Sequence, residues 1–391
     1  MASSVFPHEL YGMIIRFATY SPVYFDVSPD PQYWPIPSEN RVGVDYETKK
    51  ALTAVSRQFR ALSLQYLYEV IELHKTSSMQ RLASILDISS SITAKNGLRN
   101  PRKIKHLFVS VLDVQDKQGK IAAFNSLRRI LHHCIGLQGF GFYASVLDWV
   151  EYCSDPRDWL ISIPKSVRFL DWQGLTMGCN FTQMVRHLSE SLVAMQFSKV
   201  QLNTSPPPFA ILPHLKYLSL PEKLGGTDIL YDWHMPSLSH FHSNGIIKGE
   251  LGCIIERARE NLQCVIVGNG VAQAWLAKLP GVARNLEEFR YHFFDEEMEL
   301  SWDSVGGHPS LQHIVVVFHR PRVRGRSLSR AMSALCAHLQ PLTKANFPHL
   351  RSVGFVGVNP NSRFDPETRA QLDAVMDRWN TSGIVTKFLE W

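Results

Sequence analysis

The sequence predicts an α/β chain, in which a small all-helical head precedes a curved solenoid of strand-and-helix units on a parallel sheet. Three observations predict it. A short apolar pattern recurs from about residue 104 at a nearly constant step. Proline marks the entry to several of its copies. Residues 1–68 carry helical rather than strand-like periodicity.

In the head, Phe6-Pro7-His8-Glu9-Leu10 predicts a helix start, since proline suits the first helical turn. Leu10, Ile14 and Phe17 then share one side. A second helix is expected from about Thr48 to Tyr68, because Leu52, Val55, Phe59, Leu62 and Tyr66 follow at helical steps. Between them, residues 18–48 form an insertion with Pro22, Pro29, Pro31, Pro35 and Pro37, a density that excludes a helix. Its aromatics, Tyr24, Phe25, Tyr33 and Trp34, either pack on the head or meet a partner. Leu67 to Leu73 alternates as a strand and would begin the array.

The body, residues 69–361, repeats. Apolar residues fall at positions 1, 4 and 6 of each copy, as in Val167/Leu170/Trp172, Leu215/Leu218/Leu220 and Leu262/Val265/Val267. The lead positions are Ile104, Leu137, Val167, Leu192, Leu215, Leu238, Leu262, Leu286, Leu311 and Leu350, separated by 33, 30, 25, 23, 23, 24, 24, 25 and 39 residues. Pro213, Pro236, Pro309 and Pro348 each stand two residues before a lead, where proline stops a helix and pre-sets an extended strand entry. Between strands, Leu251, Ile254, Ile255 and Ala258 lie at helical spacing, and so do Val271, Trp275, Leu276 and Leu279. Units of this size bury their faces only by stacking. An ordinary α/β domain with a parallel sheet shares the alternation but not the constant period.

Residues 362–391 read as a cap. Asp365-Pro366-Glu367 supplies a capping Asp, a first-turn proline and an acid. The helix would turn Leu372, Val375, Met376 and Trp379 inward and stop near Gly383, with a last strand at Ile384 to Leu389.

These motifs resemble a known combination. Phe6-Pro7-His8-Glu9-Leu10 with Met13-Ile14-Ile15 is similar to the F-box opening, and Leu52-Thr53-Ala54-Val55-Ser56-Arg57-Gln58-Phe59-Arg60-Ala61-Leu62 is similar to its second signature. The array resembles degenerate leucine-rich repeats, and the whole resembles fungal F-box proteins. One departure concerns the family's usual Asn or Cys three residues past position 6. Leu175, Val200, Lys223, Ile246 and Gly270 stand there, so an irregular array is expected. The resemblance implies docking to a Skp-family adaptor, and through it to a cullin, by Pro7, Leu10, Ile14, Leu52, Val55 and Phe59. A protein target of unknown identity would lie on the array. The competing reading is a repeat scaffold with no ligase link, the same side chains filling the head's own core.

No enzymatic motif is present: HExxH, G-x-S-x-G and GxxxxGK[ST] are all missing. Gly268-Asn269-Gly270 lacks the third glycine of a dinucleotide turn, and Asp295-Glu296-Glu297 reads as a solvated loop. No cofactor is expected, and the scattered Cys and His residues match no metal spacing. Arg320, Arg322, Arg324 and Arg326 form the sharpest charged run, suited to an acidic or phosphorylated segment or to a plain solvated loop. A net charge of +6 is too slight for a dedicated nucleic-acid binder. With no signal-like start and no span-length apolar run, a cytoplasmic or nuclear protein without membrane contact is expected.

Overall fold

The computed structural model describes residues 8–19, 46–96, 104–110, 116–143, 160–173, 176–197, 200–201, 209–220, 230, 232–243, 249–268, 278–293, 302–318, 328–359 and 364–389. The chain divides into two compact units, residues 1–214 and 215–391.

The first unit opens with α1 (His8–Thr19), α2 (Tyr46–Val55) and α3 (Arg57–Leu67). The single helix expected from Thr48 to Tyr68 is thus two. Ser56 leaves the helical region at φ −161°, ψ 167°, and its hydroxyl accepts from the Phe59 N–H as the cap of α3. Strand β1 (Val70–Leu73) follows, then α4 (Thr76–Asn96), β2 (His106–Val109), α5 (Lys117–His133), β3 (Gly139–Phe142), β4 (Phe169–Trp172), α6 (Gly178–His187) and β5 (Ala194–Phe197). These strands pair in parallel in chain order. Leu107, Phe140, Leu170 and Met195 align in one row and Val109, Phe142, Trp172 and Phe197 in another, all buried.

The second unit carries β6 (Tyr217–Leu220), β7 (His240–Ser243), α7 (Gly249–Ala258), β8 (Cys264–Val267), the one-turn α8 (Leu279–Val282), β9 (Glu288–Phe293), β10 (His313–Phe318), α9 (Leu328–Leu339), β11 (Ser352–Val356), α10 (Pro366–Thr381) and β12 (Val385–Leu389). Its strands also pair in parallel and in chain order. All ten lead residues named from the sequence are buried across the two units. Ile254, Ile255 and Ala258 of α7 face inward, as do Leu372, Val375 and Trp379 of α10. Asp365 caps α10 by accepting from the Thr368 N–H at 2.8 Å, and Gly383 closes it at φ 74°.

Successive turns are tied by a polar rung one residue ahead of the lead. Ser166 donates to the Leu137 carbonyl at 2.8 Å, and Ser191 to that of Val167 at 2.7 Å. In the second unit Asn261 donates to Pro236 at 2.6 Å, Asn285 to Glu260 at 2.7 Å and Ser310 to Leu286 at 3.1 Å. Buried His308 adds a bond from Nε2 to the Ala283 carbonyl (3.0 Å), and its Nδ1 accepts from the Leu311 N–H (3.1 Å). The family's ladder position is vacant of Asn, yet carbonyls are bridged from turn to turn by another route.

Cys134, Cys264 and Cys336 are free and buried. Burial pushes the Cys134 thiol up to about 12 and that of Cys336 to about 11, so both stay protonated and behave as small apolar groups.

Candidate docking site on the head

Helix α1 has two unlike faces. Ile15 and Thr19 are buried, the Thr19 hydroxyl donating to the Ile15 carbonyl at 2.7 Å. Tyr11 meets Phe59 of α3 edge to face, ring centroids 5.2 Å apart. The other face carries Leu10, Met13, Ile14 and Phe17, which are 41%, 57%, 55% and 84% exposed. Residues spaced i, i+3, i+4 and i+7 lie over one another on a helix, so these four make a single apolar stripe. Val55, at the end of α2, is also exposed, at 62%. Isolated exposed aliphatics are ordinary, whereas these four form a contiguous apolar row on one short helix.

The first two strands of the array are joined at their start by polar links. The Glu69 carbonyl accepts from the Lys105 and His106 N–H groups at 2.8 and 2.9 Å, and its carboxylate pairs with the Lys105 ammonium.

The sheet face away from the apolar rows is largely shielded. Phe108 and Asp171 in the first unit, and Tyr217, Ser219, His242, Cys264 and Ile266 in the second, are buried on that side of their strands. Two polar pairs stand there: Tyr143 donates to Asp171 at 2.9 Å, and Ser219 Oγ lies 2.9 Å from His242 Nδ1. The face is open at β12, where Val385, Lys387 and Leu389 are exposed, and at β9 Glu288 and Arg290 form a half-buried ion pair at 3.2 Å. Burial lowers His106 to about 3 and His240 to about 4, with Lys105 and Lys49 acting on the first and Lys216 on the second. Both stay neutral near pH 7 and add no positive charge to the face.

No family model matches the chain, and no curated protein matches it. Two solved structures are similar to it in outline. The first is the yeast Rad7 and Elc1 complex, at 10% identity and a TM-score of 0.38, covering 92% of this chain and 91% of that one. The second is a protein from Bacteroides fragilis, at 10% identity and a TM-score of 0.31, covering 76% and 71%. Neither likeness is strong enough to assign a family.

Of the residues singled out from the sequence, Leu10 and Ile14 come together on the exposed stripe, and Val55 is open to solvent. Leu52 and Phe59 are half-buried, Phe59 being turned toward Tyr11. Pro7, Arg320, Arg322, Arg324 and Arg326 lie outside the described residues, as do the insertion's prolines and aromatics, the acidic run and Asn269-Gly270. Met13 belongs to the stripe as well, although the sequence marks it only as an aliphatic of the opening motif. The i, i+3, i+4, i+7 spacing from Leu10 was the signal that finds it.

Among the described residues, no group of three or more His, Cys, Asp and Glu side chains is placed to hold a metal, and no helix is long and apolar enough to cross a membrane.

Proposed function

We propose that this chain is a non-catalytic substrate-recognition subunit of a Skp-cullin-F-box ubiquitin ligase. The head docks a Skp-family adaptor, and the repeat array presents a protein target. The observation that carries this reading is the exposed stripe on α1. It coincides with the residues of the F-box-like opening, and a helix-in-groove partner reads side chains at that spacing. Catalysis in such an assembly comes from proximity, with the bond chemistry done by another subunit. The Arg320, Arg322, Arg324 and Arg326 run is suited to grip an acidic or phosphorylated part of the target.

Mixing the purified full chain with a purified Skp-family adaptor and following co-elution tests the reading. Stoichiometric binding, lost in folded Leu10→Asp and Ile14→Asp variants, supports it. Failure of the intact chain to bind favours a repeat scaffold with no ligase link.

A further inference from the structure

Strand β12 ends the second unit with an open edge among the described residues. The Val385 N–H donates to the Arg351 carbonyl at 2.8 Å, which places the odd-numbered residues of β12 in the ladder with β11. Backbone groups alternate along a strand, so the N–H groups of Thr386 and Phe388 point to the opposite edge. Side chains alternate as well. Phe388 stacks on Phe355 with centroids 5.6 Å apart, while Val385, Lys387 and Leu389 face solvent. Val385 is 55% exposed and Leu389 38%. The Thr386 hydroxyl, by contrast, is buried and has no hydrogen-bond partner. Strand edges are normally blunted by charge, proline or brevity. Here a single lysine stands between two exposed aliphatics.

We propose that this edge accepts an extended segment of a partner protein as an added strand, with apolar, acidic and apolar residues at alternate positions. Main-chain bonds to Thr386 and Phe388 supply the affinity, and Val385 and Leu389 pack on the apolar positions. The acid is set by charge. Lys387 stands on the edge strand itself, the Arg351 carbonyl accepts from that strand's first N–H, and both residues are exposed. Glu288, the carboxylate that acts most on nearby His313, lies three strands away on β9, so the edge itself favours a negative guest. A second copy of this chain fits poorly. Twofold pairing centred on the strand sets Lys387 against Lys387, and like charges directly opposite destabilise a ladder. The inference stands apart from adaptor docking on the head.

The test is a fluorescence-anisotropy titration of the full chain with a labelled peptide Thr-Val-Thr-Glu-Thr-Val-Thr, and with its counterpart carrying Lys in place of Glu. The acidic peptide is expected to bind about tenfold tighter than the basic one. Thr386→Pro removes an outward N–H and leaves the ladder with β11 intact, so binding should fall about tenfold or more with little change in thermal unfolding. Lys387→Glu should reverse the preference between the peptides, which keeps the test open should the proline variant not fold. No saturable binding by the intact chain, or equal binding of both peptides, overturns the proposal. A concentration-dependent dimer that Thr386→Pro dissolves assigns the edge to a second copy and overturns the partner proposed here.

Discussion

The carboxamide of Asn285 reaches across 2.7 Å to the carbonyl of Glu260, binding one turn of the array to the turn before it. Asn261 does the same one turn earlier to Pro236. Because these rungs are solvent-exposed, each contributes only the modest net value of an ordinary hydrogen bond. Asn285→Ala should cost about 1 kcal/mol in urea unfolding. His308→Ala should cost about 2–3 kcal/mol, because it strands a buried Leu311 N–H and the Ala283 carbonyl together. Equal losses for the two variants would refute the distinction.

Gly139 and Gly141 give the first unit a bare floor. A Cβ at Gly139 would run into the His106 ring, and one at Gly141 into the Phe108 ring and the Tyr143 hydroxyl. His106 and Phe108 are both buried, so their rings have little room to yield. Gly141→Ala should destabilise the protein by about 1–3 kcal/mol through overpacking. Gly136→Ala, with nothing within 4 Å of the added methyl, serves as the control and should change stability little.

Stability and docking separate on the two faces of α1. Ile15→Ala empties a fully buried site and should cost about 2–4 kcal/mol of folding stability. Phe17→Ala removes a ring that is mostly in solvent and should shift stability by less than about 0.5 kcal/mol while weakening adaptor binding. Thermal unfolding together with adaptor titration reads both. A Phe17→Ala protein that binds unchanged removes the ring from the interface.

Acid should weaken the fold before the carboxylates titrate. His106 and His240 are held near 3 and 4, chiefly by burial, against an ordinary value near 6.5. Between the folded and unfolded values the unfolded chain takes up protons that the folded chain refuses. Stability is therefore greatest above about pH 6.5 and declines as the pH falls toward 4, at about 1.4 kcal/mol per unit for each such group. Urea midpoints at pH 7.5, 6 and 5 check this, and a His240→Gln variant should show a shallower decline. A flat profile would sink the prediction.

The repeat was legible because buried leads recur at a fixed step, and the cap of α10 because Asp365 and Pro366 are local signals. The break at Ser56 was not. Apolar periodicity runs straight through Leu52, Val55 and Phe59, and a spacing count does not register one residue whose backbone turns extended. The rungs are not legible either, since Ser and Asn stand ahead of the strand and not at the usual leucine-rich-repeat place behind it. Burial on the far side of the sheet did have a signal. Cys264-Val265-Ile266-Val267 is an unbroken apolar run, which marks a strand covered on both faces. On the head, spacing alone put Leu10, Ile14 and Phe17 on one side, but whether that side faces inward depends on Ile15 and Tyr11 claiming the interior first.

A rung that accepts Ser or Asn asks only for a short donor at one address. The stacking can then outlast wholesale turnover of the letters around it, because each exchange is tested only against one or two carbonyls of the preceding turn. Chains built this way are free to drift apart in sequence while keeping the same coil.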